Sequence, residues 1–333
     1  MIAKLKSTLS IPAILMPLIV FAPMAATGQN TLRVNVELVN VVVTVTDGEG
    51  RYVAGLNLDD FIITDEGTPQ KPAHFTQDND VPLSIGIVLD TSASMLKRID
   101  TALAAVDRFV ATLHADDDVF FMTFADRVSL VQDLTRDRKR LSRALLEARP
   151  WGGTSLYDAL VRSLETVVRG RHDKQAILVL TDGTDTSSEF GLGDALDAVE
   201  ATEVLIYGLG IDAMRFGDPA EHVRFDWPGT VSPGALKLLQ RPLREGPVDM
   251  EVLEDFAGAS GGQAFRVTRT WEGGRADAID RVLNEVSAEL RNQYSLGYYP
   301  SNPGDGRFHK IQVQIRDHDE YSVRTRAGYT AAP

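Results

Sequence analysis

The chain contains no cysteine, which excludes disulfides, thiolate metal sites and cysteine nucleophiles. Aromatic residues are few, 7% of 333 positions, beside 44% hydrophobic and 24% charged residues. Stability must therefore rest on a packed core, for which this length is ample. Positive charge is also scarce: 34 Lys and Arg stand against 47 Asp and Glu, a formal net charge of −13. Lys4 and Lys6 are the only charges in the first 29 residues, and without them the balance is 32 against 47, or −15. So acidic a surface argues against phosphate backbones and anionic lipid as partners, and no nucleic-acid role is expected.

A long apolar run is missing as well. Ile11 to Phe21 is apolar but is interrupted by Pro12 and Pro17, and it falls short of the roughly 20 residues that a spanning helix needs. Preceded by Lys4 and Lys6 and followed by Ala22, Ala25, Ala26 and Gly28, it has the form of a signal peptide over residues 1–28. The expectation is an exported protein, periplasmic or secreted, with no stable membrane span after cleavage.

What is present falls into three zones, and roughly 150 residues per domain suggests about two folded units. Over residues 29–81 the pattern has period two. Leu32, Val34, Val36 and Leu38 alternate with polar neighbours, then Val41, Val43 and Val45 alternate in the opposite phase. Turns are signalled at Asp47-Gly-Glu-Gly50 and Asp65-Glu-Gly67, so the segment reads as short antiparallel β. Over 82–295, continuous apolar strands (Leu83–Leu89, Val119–Phe124, Ala176–Leu180, Val204–Leu209 and one near Ala264–Val267) alternate with amphipathic helices. That alternation predicts a doubly wound, mostly parallel α/β sheet covered on both faces. Over 296–333 period two returns with Ile311, Val313 and Ile315, and Asp317–Glu320 predicts a hairpin turn before Tyr321 and Val323. A lone hairpin is marginal in water. The two terminal segments are therefore expected to form one small antiparallel β domain, with the α/β domain inserted in it. Ala213 to Pro247 has no periodic pattern and reads as a long loop.

The chemistry gathers at strand ends. Asp90 and Asp182 each follow a buried run, at what should be the carboxyl end of a parallel strand, where open α/β sheets place their ligands. Ser92 and Ser94 in Asp90-Thr-Ser-Ala-Ser94 can point two hydroxyls at one centre, and Gly152-Gly153 lets Thr154 approach at a helix start. Three hydroxyls and two carboxylates, with no thiolate or imidazole, suit a small hard cation: Mg²⁺, with Mn²⁺ or another divalent ion able to substitute. Such a site would leave a coordination position for a Glu or Asp carboxylate of a protein partner.

Asp90-Thr-Ser-Ala-Ser94, Thr154 within Gly-Gly-Thr-Ser-Leu and Asp182 within Leu-Thr-Asp-Gly resemble the three loops of the metal-ion-dependent adhesion site of von Willebrand factor type A domains, over about Pro82 to Ser295. Val-Asn-Val-Glu-Leu-Val-Asn-Val-Val-Val before this region, and Tyr-Ser-Leu-Gly-Tyr-Tyr-Pro after it, resemble a bacterial family related to that domain and best known from acidobacteria. The resemblance implies that Ser92, Ser94 and Thr154 touch the metal directly, with Asp90 and Asp182 direct or acting through water. It also implies a non-enzymatic adhesion or protein-binding module whose last helix, Ile279 to Leu290, shifts on binding. The alternatives are a structural scaffold module of an envelope assembly and, further off, a metal-assisted hydrolase. A hydrolase needs a poised base or nucleophile beside the ion.

Other features read as structural. Gly258-Ala-Ser-Gly-Gly262 matches the nucleophile-elbow pattern but follows a predicted helix rather than a strand, so it reads as a helix ending. The six histidines are expected at the surface and Asp116-Asp-Asp118 as a solvated turn. Asp185 reads as a loop carboxylate. Tyr294, Tyr298 and Tyr299 read as packing where the two domains meet. Specificity is expected from loops beside Met95, Trp151, Phe190 and 213–247.

Overall fold

A computed structural model describes residues 38–78, 81–182, 184–211, 248–267, 275–301 and 304–331. The expected export signal, the alternation at Leu32–Val36 and the 213–247 loop lie outside the described residues. The N-terminal strands are β1 (Val39–Thr46), β2 (Phe61–Asp65), β3 (Thr68–Gln70) and β4 (Pro72–Asp78). The central unit follows as β5 (Ser84–Asp90), α1 (Ile99–Thr112), β6 (Asp118–Phe124), β7 (Val128–Thr135), α2 (Arg138–Leu145), α3 (Leu156–Val167) and β8 (Gln175–Thr181). It continues with α4 (Leu192–Glu200), β9 (Leu205–Ile211), α5 (Met250–Ser260), β10 (Gln263–Val267) and α6 (Arg275–Leu290). The chain closes with β11 (Gln293–Tyr298), β12 (Phe308–Ile315), β13 (Ser322–Arg324) and β14 (Gly328–Thr330).

The central sheet has the order β10-β9-β8-β5-β6-β7, parallel throughout except for the β6–β7 hairpin. Its inner strands read as unbroken apolar runs because both faces are covered. One face packs Ile85, Ile87 and Leu89 against α1, α2 and α6. The other packs Val88, Ile177 and Val179 against α3, α4 and α5. After β5 the chain first adds β6 on one side and later β8 on the other, so strand order reverses at β5 and a crevice opens between the carboxyl ends of β5 and β8. That reversal decides where a ligand can reach the sheet.

The terminal segments do combine. β1 pairs antiparallel with β11, Val43 opposite Tyr294 and Val41 opposite Leu296, in a sheet of order β13-β1-β11-β4. β2 pairs with β12, Ile63 opposite Val313, in a second sheet of order β14-β12-β2-β3. Inward residues of both sheets share one core, which makes a β-sandwich out of two stretches that could not be stable apart. The expected C-terminal hairpin is corrected here: β12 pairs with β2 and β14, while β13 crosses to pair with β1. Each sheet gains a partner for an otherwise open strand, which a local hairpin would not supply.

Further expectations need correction. Asp117 and Asp118 are buried rather than solvated. Asp117 accepts the N–H of Leu83 at 2.8 Å and pairs with Arg291 at 2.5 Å, while Asp118 accepts the Ser84 hydroxyl at 2.6 Å. Tyr294 and Tyr298 pack inside the sandwich, and of the three tyrosines only Tyr299 is exposed. His309 is buried between Asp65 and Asp305. Ser260 closes helix α5, its hydroxyl accepting the Ile206 N–H at 2.9 Å, with Gly261 at φ 84° as the left-handed end. Here the expectation holds: the segment is the helix ending read from the sequence, not a nucleophile elbow.

Candidate functional site

Asp90 is the last residue of β5 and is fully buried. One carboxylate oxygen accepts the Ser92 N–H at 2.7 Å, and the other accepts the Thr181 hydroxyl from the end of β8 at 2.6 Å. Asp90 thereby fixes the turn that follows it and ties the two strands flanking the crevice. Burial pushes its carboxyl up from the usual carboxylate range, against the pull of the Thr181 and Ser92 bonds and of the Arg98 charge. Neutral or charged, its two oxygens are committed to these partners.

The turn it sets is a short 3-10 segment, Ala93–Lys97, that precedes α1. Ser92 and Ser94 project from it on the same side, their hydroxyl oxygens 2.8 Å apart, and the Ser94 hydroxyl donates to Asp182 Oδ1 at 2.7 Å. Asp182 is the first residue beyond β8. Four of the five sequence-predicted residues thus lie in one continuous chain of contacts. Thr154, the fifth, is buried on the neighbouring loop, and backbone bonds draw that loop in: Trp151 N–H to Thr91 carbonyl at 2.7 Å and Ala93 N–H to Gly152 carbonyl at 3.1 Å. The loop of residues 184–191 closes over Thr154, its carbonyl accepting Thr186 N–H at 2.8 Å.

The glycine pair is needed here for two reasons. Gly152 has φ 81°, and a Cβ there or at Gly153 would fall 2.2 Å from Asp126 Oδ2 or 2.3 Å from Ser187 Oγ. Asp126 accepts the Gly153 N–H at 2.6 Å and holds the turn. Asp185, left out of the ligand set by sequence reading, accepts the N–H groups of Leu156 and Tyr157 at 2.8 and 3.3 Å and so caps α3. Sequence reading also missed Arg98, whose buried guanidinium pairs with Asp182. It lies four residues past Ser94, and no pattern marks which way an arginine at a helix start will turn. Met95, placed beside a specificity loop in the sequence reading, packs into the core instead.

Among the described residues, no group of three or more His, Asp or Glu side chains is placed to hold a metal ion. A cation here would depend on hydroxyls as well as carboxylates. The spacing permits it: neighbouring oxygens around a six-coordinate Mg²⁺ at about 2.0–2.1 Å lie about 2.9 Å apart, and the Ser92–Ser94 and Ser94–Asp182 separations are 2.8 and 2.7 Å. Ser92, Ser94, Thr154, Asp182 and, behind them, Asp90 are the residues that could hold such an ion.

Residues 85–184 match the von Willebrand factor type A domain. The match takes in the ends of β5 and β8 and all three loops of the site, and the mostly parallel sheet with helices on both faces is the type A fold. Likeness to solved structures lies in fold. An aerotolerance-related membrane protein from Bacteroides fragilis is 19% identical with a TM-score of 0.46, over 62% of this chain and 98% of that one. A von Willebrand factor type A protein from Catenulispora acidiphila is 12% identical with a TM-score of 0.48, over 90% and 75%. The von Willebrand factor domain of the type V pili tip protein Mfa5 from Porphyromonas gingivalis is 21% identical with a TM-score of 0.30, over 32% and 39%. No curated protein matches the chain. Among the described residues no helix is long and apolar enough to cross a membrane.

Proposed function

We propose that the rim formed by Asp90, Ser92, Ser94, Thr154 and Asp182 is a divalent-cation site, with Mg²⁺ the natural occupant, through which an exported protein captures an acidic group of a protein partner. The observation that carries this reading is the convergence of Ser92 Oγ, Ser94 Oγ and Asp182 Oδ1 within hydrogen-bond distance, 2.8 and 2.7 Å, close enough for one ion to take the place of the shared protons. When bound, the cation supplies a Lewis-acidic centre with room for a carboxylate from outside. The chain's residues do the rest. Asp90 orients the Ser92 turn and β8, Asp126 and the glycine pair hold the Thr154 loop, and Asp158 anchors the outer loop by accepting the N–H groups of Glu189 and Phe190 at 2.9 and 3.0 Å. Trp151 and Phe190 stand exposed on these anchored loops, as large side chains available to a partner.

Two observations weigh against the rival readings. The loops are already joined by backbone bonds such as Trp151 to Thr91 and Ala93 to Gly152, so a cation is not needed merely to hold them, as a scaffold role would require. A hydrolase would need a base or nucleophile aimed at the ion beyond the groups that hold it; the rim's two carboxylates are Asp90, held by Thr181 and Ser92, and Asp182, assigned to the ion itself.

The test is thermal melting and calorimetric Mg²⁺ titration of the protein and of Ser94→Ala. An ion at 100 times its Kd should stabilise the folded state by about 2.7 kcal/mol. Ser94→Ala should bind at least about tenfold more weakly, one hydroxyl ligand being lost, and in chelator should lose the Ser94–Asp182 bond, about 1–3 kcal/mol. No Mg²⁺-dependent rise in the unmodified protein would sink the proposal.

A further inference from the structure

A cation is already built into the rim. Arg98 stands just ahead of α1, 6% exposed, with its guanidinium paired to Asp182 Oδ2. The other oxygen of the same carboxylate accepts the Ser94 hydroxyl at 2.7 Å. One carboxylate therefore serves both the guanidinium and the hydroxyl cluster. The Arg98 backbone is fixed, its N–H donating to the Met95 carbonyl at 2.8 Å and its carbonyl accepting the Ala102 N–H at 2.9 Å. The side chain is a long stem that can turn away without moving that backbone.

We propose that Arg98 is an internal competitor for the cation site: its guanidinium holds Asp182 and must withdraw before a divalent ion can make full use of that carboxylate. The proposal rests on the cation reading of the rim given above. Its physical ground is the charge count. Asp90 and Asp182 are the two carboxylates of the cluster, and one of them is already neutralised by a group that water scarcely reaches. A divalent ion placed beside an unmoved guanidinium sets like charges a few ångströms apart where solvent and salt screen them little. The ion must therefore either bear that repulsion or displace Arg98 from Asp182. Either way the oxygens bind it less tightly than their arrangement alone would allow, and Arg98 sets the cation concentration at which the rim fills.

The experiment is calorimetric Mn²⁺ titration of the full protein, of Arg98→Gln and of Arg98→Lys, with melting curves to establish that each is folded. Removing the charge should tighten Mn²⁺ binding about tenfold or more, and keeping it as lysine should leave binding within a few-fold of the starting value. Equal or weaker binding in Arg98→Gln overturns the proposal and leaves Arg98 as a structural partner of Asp182. Absence of binding in all three proteins overturns the cation reading itself, a different result. Should Arg98→Gln fail to fold, the unmodified protein decides: the Arg98 Nε–H NMR resonance is expected to shift as Mg²⁺ saturates the site, and an unmoved resonance overturns the competition.

Discussion

Two arginine–carboxylate pairs, each built on a buried carboxylate, occupy opposite surroundings in this protein. Arg98 and Asp182 meet among loops at the sheet's carboxyl rim, with serine hydroxyls as company. Arg324 and Glu289 meet where regular elements converge: Glu289 on α6, 1% exposed, also receives the Tyr207 hydroxyl from β9 at 2.8 Å and the Thr44 hydroxyl from β1 at 3.2 Å. Gln293, at the start of β11, donates to the Thr44 and Tyr207 oxygens at 3.2 and 3.3 Å. The second cluster thus joins the last helix of the inserted domain to three strands of the sandwich sheet and to one of its own. Its groups sit on strands and a helix that cannot move independently, so the pair acts as a fastening. The rim pair sits on turns, where one side chain can leave without dismantling an element. The same chemistry can therefore hold a fold in one place and remain available to a ligand in another.

The largest expected effect tests the fastening. Glu289→Ala leaves the buried Tyr207 and Thr44 hydroxyls without their acceptor, at about 1–3 kcal/mol each, and frees the partly exposed Arg324. Urea unfolding should record that loss. If the two pairs are independent, Mn²⁺ affinity of the folded variant stays unchanged. A weakened affinity would break the contrast by showing that α6 transmits between them, as the expected shift of that helix on binding would require.

A smaller effect concerns another buried carboxylate, inside the sandwich. Asp65 on β2 accepts the hydroxyls of Tyr298 and Tyr329 at 2.9 and 3.0 Å and faces His309 Nδ1 at 3.1 Å, while His309 Nε2 lies 3.0 Å from Asp305. Burial opposes charge on His309, but its bonds to Asp305 and Asp65 and their negative charges outweigh burial and raise its pKa above the usual 6.5. A raised folded-state value means a stabilising contribution that is complete below the unfolded value of about 6.5 and fades as pH climbs through the folded one. His309→Gln should therefore cost about 1.5–3 kcal/mol at pH 5.5, and the gap to the unmodified protein should narrow toward pH 9. A gap that is flat with pH would show that His309 stays neutral and only packs. Such pH sensitivity belongs to the sandwich and should not appear in Mn²⁺ binding at the rim.

What was legible in advance follows the same division. The doubly wound sheet could be read because unbroken apolar runs such as Leu83–Leu89 and Ala176–Leu180 end in Asp90 and in Thr181-Asp182, and because both faces of a parallel sheet must be covered. The sandwich could be read in outline, since two alternating segments each needed a partner. Its strand exchange could not, because β13 pairs with β1 across some 280 residues and nothing local encodes that choice. The hydroxyl cluster was visible as spacing within one turn, but the fixing of Thr154 by Gly152, Gly153 and Asp126 depends on a contact between distant loops. Buried charges were the least legible. Arg98, Asp117, Asp65 and His309 each look solvent-exposed in sequence, and each is inside only because a partner from another element neutralises it, a pairing that hydropathy does not encode.

The smallest effect on stability, and the sharpest on recognition, is expected at Trp151. Its indole is 66% exposed, and what anchors its loop is the backbone, through the Trp151 N–H to the Thr91 carbonyl at 2.7 Å. Trp151→Ala removes surface that the fold does not use, so melting should change by no more than about 0.5 kcal/mol, and Mn²⁺ affinity should be unaltered because no ligand is touched. An exposed tryptophan beside a charged centre is nevertheless the type of side chain that carries binding energy once a partner covers it. Immobilised protein and Trp151→Ala, each exposed to envelope extract of the source organism in Mg²⁺ and in chelator, should retain the same Mg²⁺-dependent proteins in clearly different amounts. Equal retention would confine recognition to the cation alone. One carboxylate on one ion cannot tell partners apart, so that result would break the contrast between a rim proposed to meet a partner and a junction that holds the fold.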